Sequence, residues 1–195
     1  MKKKIKKRFR VAFFGNSDVK KRSLSFIDAY DTAQLLSKNN FTIINGGGPG
    51  IMLASTLGAV SVHGRAEAVV INPKSQPSAH YEGQYPENIS QVKRIYSLKS
   101  YQGRLSKLIK LASAYVIFYG GTGTLAEMAY VWSEAKFAFP HQKPIIFYGK
   151  KWRKIINTIT SELKFEKIEK QICYFVDKPE QVLEIIKTYS KLKHK

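Results

Sequence analysis

The sequence predicts an α/β fold, a doubly wound and mostly parallel sheet with helices on both faces. Three observations carry this. Apolar runs of strand length alternate with helical patterns along the chain. The runs are continuously apolar, as strands buried on both faces are. Several end in glycine or small polar residues, the turn chemistry of strand-to-helix connections.

Taken in order, Arg10–Gly15 (RVAFFG) reads as the first strand and ends at Gly15-Asn16-Ser17. Ser23–Lys38 follows as a helix with Leu24, Ile27, Ala33, Leu35 and Leu36 as its apolar positions, stopped by Asn39-Asn40. Phe41–Asn45 is a short buried strand running into Gly46-Gly47-Gly48-Pro49-Gly50. Ile51–Val62 is a helix of small and apolar residues closed by His63-Gly64, and Ala66–Ile71 is the third strand. Residues 72–90 carry three prolines and read as one long loop. A loop of that length in a compact domain usually has a functional reason. With Tyr81 and Tyr85 it suits a lid or a dimer contact, and the lone His80 reads as an exposed loop residue.

Val92–Leu98 is then a short strand, and Ser100–Ala112 a helix with Leu105, Leu108, Ile109 and Ala112 on its buried stripe. Ala114–Tyr119 is the fifth strand, followed by Gly120-Gly121-Thr122-Gly123 and a helix from Thr124 to Phe137. Pro144–Tyr148 is a strand, Trp152–Leu163 a helix and Ile172–Val176 a strand. Asp177 is placed to cap a last helix, Pro179–Ser190.

A chain of 195 residues with 44% hydrophobic and 24% charged residues is expected to form a single domain, residues 1–195. Residues 1–10 form a basic N-terminal extension. The formal charge is +19, of which +7 falls in residues 1–10, +6 in residues 150–195 and +6 in the long middle. Such a charge raises nucleic acid, membrane surfaces and small anions as partners. Of the 33 cations 26 are lysines, whereas base readout and phosphate clamping favour arginine forks, so the reading is a basic surface and no specific nucleic-acid site. One cysteine, Cys173, makes no internal disulfide and reads as a buried structural thiol. The apolar run at the start is too short for a signal-peptide core, and no segment reaches the ~20 apolar residues of a membrane span. The expectation is a cytoplasmic protein.

Ligands of such sheets bind beyond the carboxyl ends of the strands. Three segments gather there: Gly15 and Ser17 after the first strand, Gly47 and Gly48 after the second, and Gly120, Gly121, Thr122, Gly123 and Thr124 after the fifth. Glycine lets a ligand approach the backbone, and a helix start aims N–H groups at an anion. The plainer reading is a tight turn that lets helix and sheet pack. Gly121–Ala126 fits G-x-G-x-x-[GA], but no acidic residue follows the next strand, so a dinucleotide site is not expected. There is no P-loop, no G-x-S-x-G elbow and no metal-ligand spacing. Glu127 stands one turn into the helix after the fifth strand, as a partner of the helix dipole or as a catalytic acid. Arg104 lies opposite the buried stripe of its helix or at its border, and periodicity alone makes it a solvated cation.

Asn45-Gly46-Gly47-Gly48-Pro49-Gly50-Ile51-Met52 and Gly120-Gly121-Thr122-Gly123-Thr124-Leu125-Ala126-Glu127 together resemble the LOG-type (cytokinin riboside 5′-monophosphate) phosphoribohydrolases, also described as lysine decarboxylase-like. Their signature is PGGxGTxxE, preceded by an Arg-Lys pair on the previous helix, and the resemblance spans roughly residues 10–150. It implies a Rossmann-like fold, a homodimer with Trp132 and the 72–90 loop as contacts, and no cofactor. The implied activity cleaves the N-glycosidic bond of a nucleoside 5′-monophosphate, AMP-like or a cytokinin riboside 5′-monophosphate, to free base and ribose 5-phosphate.

By the same resemblance Arg104 and Glu127 are the catalytic pair. Glu127 would supply negative charge and orient water at an oxocarbenium-like sugar, and Arg104 would hold the substrate and keep Glu127 ionised. Gly120–Thr124 would anchor the 5′-phosphate. The sequence departs from the pattern at Tyr119 for proline, Leu105 for lysine and Ala126 for glutamate, with Tyr101 where methionine is common. Those departures motivate an alternative, a non-catalytic nucleotide or cofactor carrier on the same loops. Nothing in the sequence specifies the Schiff-base lysine of a pyridoxal decarboxylase.

Overall fold

The computed structural model describes residues 8–72, 84–137 and 143–192. Its seven strands are β1 (Arg10–Phe14), β2 (Thr42–Asn45), β3 (Ala66–Ile71), β4 (Arg94–Leu98), β5 (Ala114–Ile117), β6 (Ile145–Tyr148) and β7 (Cys173–Val176). They pair in parallel in the order β4-β3-β2-β1-β5-β6-β7. Val11 is in register with Ile43 on one side and Ala114 on the other, so strand order reverses at β1. A crevice at the carboxyl end of the β1–β5 pair is the geometric consequence.

The helices are α1 (Leu24–Lys38), α2 (Ile51–Val60), α3 (Pro86–Ile89), α4 (Tyr101–Leu111), α5 (Thr122–Phe137), α6 (Lys151–Glu162), α7 (Lys167–Gln171) and α8 (Pro179–Leu192). Successive strand residues face opposite ways and divide the core in two. Val11, Phe13, Ile43 and Val116 meet α1, α2 and α8. Ala12, Phe14, Ile44 and Ile117 meet α4, α5 and α6. Continuous apolar strands are therefore required, because both faces of each central strand are covered.

Local chemistry sets the element ends. Ser23 Oγ accepts from the Phe26 amide at 3.4 Å and Ser100 Oγ from the Gly103 amide at 3.1 Å, which starts α1 and α4. At the start of α8 it is Gln181 Oε1, not Asp177, that accepts, from the amides of Asp177 and Lys178. Several sequence expectations are corrected. Leu24 and Ile27 are 74% and 45% exposed, and α1 buries Phe26 and Ala29 in their place, together with the expected Ala33 and Leu36. The 72–90 segment is not one loop, since Pro86 opens α3 within it; His80 and Tyr81 lie outside the described residues. A short helix α7, held by a Glu166–Glu169 capping box, lies between α6 and β7. The helix after β5 begins at Thr122 rather than Thr124, so the glycine segment runs into its first turn.

One buried polar cluster ties the sheet. Glu67 of β3 is fully buried, accepting from Arg10 Nε and Arg65 Nε at 2.8 Å each and from the Tyr96 hydroxyl at 3.2 Å. Burial alone would raise its carboxyl pKa, but the two arginines outweigh that and hold it below the ordinary glutamate range. Among the described residues no helix is long and apolar enough to cross a membrane.

Candidate active site

The three glycine-bearing segments have different fates. Gly46, Gly47 and Gly48 are buried. Asn45 Oδ1 accepts from the Gly47 amide at 2.8 Å, while its amide nitrogen reaches Met52 O, Ser55 Oγ and Thr56 Oγ1. The Gly47 and Gly48 carbonyls accept from the Tyr85 amide and from Asn88 Nδ2. At the start of α2 the Ile51 amide donates to Asn16 O at 3.1 Å. This loop is a built wall whose polar groups are turned inward, and Gly47 and Gly48 do not line the cavity that opens at the β1–β5 switch point.

That cavity has a volume of about 210 Å³. Gly15 and Ser17 line it from the end of β1, and Gly121, Thr122, Gly123 and Thr124 from the start of α5. Gly121, Thr122 and Gly123 are exposed to it and Thr124 is buried, an arrangement that offers a helix N-terminus and hydroxyls to an anion. Gly120 lies behind the lining, where any side chain would overlap the Thr124 hydroxyl. The Asn16 amide donates to Tyr119 O at 3.0 Å and locks the two loops together.

Arg104 is no solvated cation. It is 6% exposed, with Nε donating to Val69 O at 3.1 Å and Nη2 to Gly46 O at 3.4 Å. The carbonyls of Val69, within β3, and of Gly46, just past β2, thus hold the guanidinium at the cavity. Its Nη1 lies 3.9 Å from Glu127 Oε1, and Glu127 is 9% exposed. The pair stands at ion-pair distance without a close hydrogen bond, one helical turn beyond the Thr122–Thr124 segment. Tyr101 lies under the guanidinium at 5.9 Å from the ring centre. Asn16, Asp18 and Met52 also line the cavity and were not singled out from sequence. Asn16 is legible as the middle of a Gly-Asn-Ser turn at a strand end; Met52 closes the Asn45–Met52 motif, but that it faces the cavity follows from how α2 docks.

Tyr119, the departure from proline, turns away from this cavity. Its hydroxyl accepts from the Lys151 amide and its ring stacks on Trp152 at 5.6 Å. Leu105, the departure from lysine, is 6% exposed in the core against α5. Ala126 is exposed. The cavity lining holds one arginine and, among the described residues, no lysine. No three His, Cys, Asp or Glu side chains among the described residues are grouped to hold a metal ion.

The family model described as possible lysine decarboxylase matches residues 52–186. The chain belongs to this family. The possible lysine decarboxylase match takes in Arg104, the whole Gly120–Glu127 segment and the strands on either side of it. No curated protein matches the chain by sequence. Among solved structures, a molybdenum cofactor binding protein of the phototrophic bacterium Rippkaea orientalis is similar, with TM-score 0.70 and 16% identity over 94% of this chain and 98% of that one. The molybdenum cofactor carrier protein of Chlamydomonas reinhardtii is similar with TM-score 0.66 and 14% identity over 94% and 99%. At such identities the likeness is one of fold, shared by this possible lysine decarboxylase family member.

Proposed function

We propose that the chain hydrolyses the N-glycosidic bond of a nucleoside 5′-monophosphate, giving free base and ribose 5-phosphate. The observation that carries this reading is the buried Arg104–Glu127 pair, 3.9 Å apart, one turn beyond a helix start that offers glycines and hydroxyls to a phosphate. C–N cleavage builds positive charge on the sugar, and a fixed carboxylate at the cavity wall is what stabilises that charge and positions water. Anchoring the phosphate at Gly121–Thr124 sets the anomeric carbon against Glu127. Decarboxylation through a pyridoxal Schiff base needs a lysine, and the lining supplies Arg104 instead. The test is incubation with AMP and with a cytokinin riboside 5′-monophosphate, followed by chromatography for free base. Base release that Glu127→Gln lowers by about 10²-fold or more supports the reading. No release from any common monophosphate removes it.

A carrier role is the second reading. It is favoured by the similarity to molybdenum cofactor binding and carrier proteins and by Leu105 at the lysine position of the signature. Native mass spectrometry separates the two, since a carrier retains an intact ligand without turnover. The resemblance also implies a homodimer. The outer face of α5 supports it, where Leu125 and Tyr130 are 44% and 38% exposed beside the exposed Ala126 and Ala129; Trp132, by contrast, is buried. Sedimentation of wild type against Tyr130→Glu reads this out.

A further inference from the structure

We propose that Tyr101 is the residue that selects the base of the nucleotide, and that it selects a purine. The inference rests on the reading that the cavity takes a nucleoside 5′-monophosphate, and adds where the base lies and which base fits.

The lining changes character from neighbour to neighbour. The groups suited to a phosphate, Gly121–Thr124, lie at the start of α5. One turn further along α5 stands Glu127, and 3.9 Å from its carboxylate is the Arg104 guanidinium, contributed by α4. Beside the guanidinium the polar lining gives way to two softer side chains. Tyr101 stands one helical turn before Arg104, an i, i+3 pair on one face, with its ring centre 5.9 Å from the guanidinium carbon. Met52 comes from α2. A Cβ on Gly46 would touch both the Met52 sulfur and Arg104 Nη2, so sulfur and guanidinium are neighbours. A nucleotide has the same order of parts: phosphate, glycosidic carbon, base. With the phosphate at α5 and the anomeric carbon at Glu127, the base falls at Tyr101 and Met52.

These two side chains offer different things. Met52 is 6% exposed and forms fixed wall. Tyr101 is 39% exposed although it lines the cavity. Leu105, Leu108 and Ile109 supply the core side of α4, so the ring is not core packing. It is a platform open to a planar heterocycle. Every base stacks on such a ring, but a bicyclic purine covers more of it than a pyrimidine does. The LOG-type signature commonly has methionine at this position, and a flexible thioether adapts to either ring size. The aromatic ring at position 101 therefore gives this chain a base preference that methionine would not.

The test compares AMP with UMP, which share ribose and phosphate and differ in the base. Binding is measured by calorimetry on the full chain carrying Glu127→Gln, which keeps the ligand intact, and base release on the chain with Glu127 in place. AMP should bind about tenfold more tightly than UMP. Adding Tyr101→Ala should weaken AMP by about tenfold and UMP by much less, so that the preference collapses. Tyr101→Phe should keep the preference, because the ring and not the hydroxyl selects. Equal losses for the two nucleotides would make Tyr101 a structural or interface residue and overturn the proposal. So would an undiminished preference in Tyr101→Ala, no preference before that change, or no binding of either nucleotide. Failure of the hydrolase reading shows separately, as no base released from AMP or UMP while the binding preference still follows Tyr101.

Discussion

The guanidinium of Arg104 fills the space that a side chain on Gly46 would need. A Cβ at position 46 would overlap Arg104 Nη2 and come within 2.9 Å of the Met52 sulfur. The Gly46 carbonyl meanwhile accepts from that same Nη2 at 3.4 Å. Position 46 therefore decides where the arginine points, although it does not line the cavity.

Gly46→Ala should displace Arg104 with a modest effect on folding. Crowding one methyl against a side-chain tip costs about 1–3 kcal/mol. Base release, or ligand retention if the chain is a carrier, should fall by about 10²-fold, since small misplacements of positioning groups have effects of that size. Thermal melts alongside activity or ligand-binding assays check both halves, and a variant with wild-type activity would show that the guanidinium position is not important.

Two glycines near the site should respond oppositely to alanine. Gly50 has φ +60° and a Cβ there would overlap backbone carbonyls of Asn16 and Ser17, so Gly50→Ala should destabilise by roughly 3 kcal/mol or more. A Cβ on Gly123 meets nothing within 4 Å, and its place in the first turn of α5 favours alanine. Gly123→Ala should melt at or above the wild-type temperature yet bind phosphate-bearing ligands more weakly.

Acid should unfold the chain partly through Glu67. Its carboxyl titrates below the ordinary value near 4.5, so the stability it contributes is fully present above that pH. This contribution is lost as pH falls through the lower folded-state pKa. Glu67→Gln removes one partner of a buried charge cluster and should cost about 3 kcal/mol at neutral pH. The gap between variant and wild type should close as pH falls below about 4. Urea melts at several pH values test this, and a constant gap would refute it.

Cys173 should be inert in the folded chain. Burial pushes its thiol up to about 12, and Sγ reaches Glu169 O at 3.5 Å. Little thiolate is present at pH 8. Iodoacetamide should modify the native protein far more slowly than the urea-unfolded protein, and equal rates would show an open thiol.

Glu127 and the Gly121–Thr124 segment were legible because a strand, a glycine turn and a helix start occupy consecutive residues. Arg104 was legible only through resemblance. Periodicity assigned it to solvent, since a helical wheel carries no information about carbonyls contributed by Val69 and Gly46, 35 and 58 residues away. The Gly46–Gly50 loop misled in the other direction. Its glycines read as a second phosphate cradle, but Asn45, Tyr85 and Asn88 use its backbone groups for packing.

What the sequence determined by itself is the alternation of buried strands and helices, since apolar period and turn residues are local properties. It also determined the place of α5's glycine-rich start at a strand end. The tertiary structure alone decided the reversal of strand order at β1 and the burial of Arg104 against Glu127. Those depend on which strands pair and which carbonyls face inward, and such contacts join residues far apart in the chain.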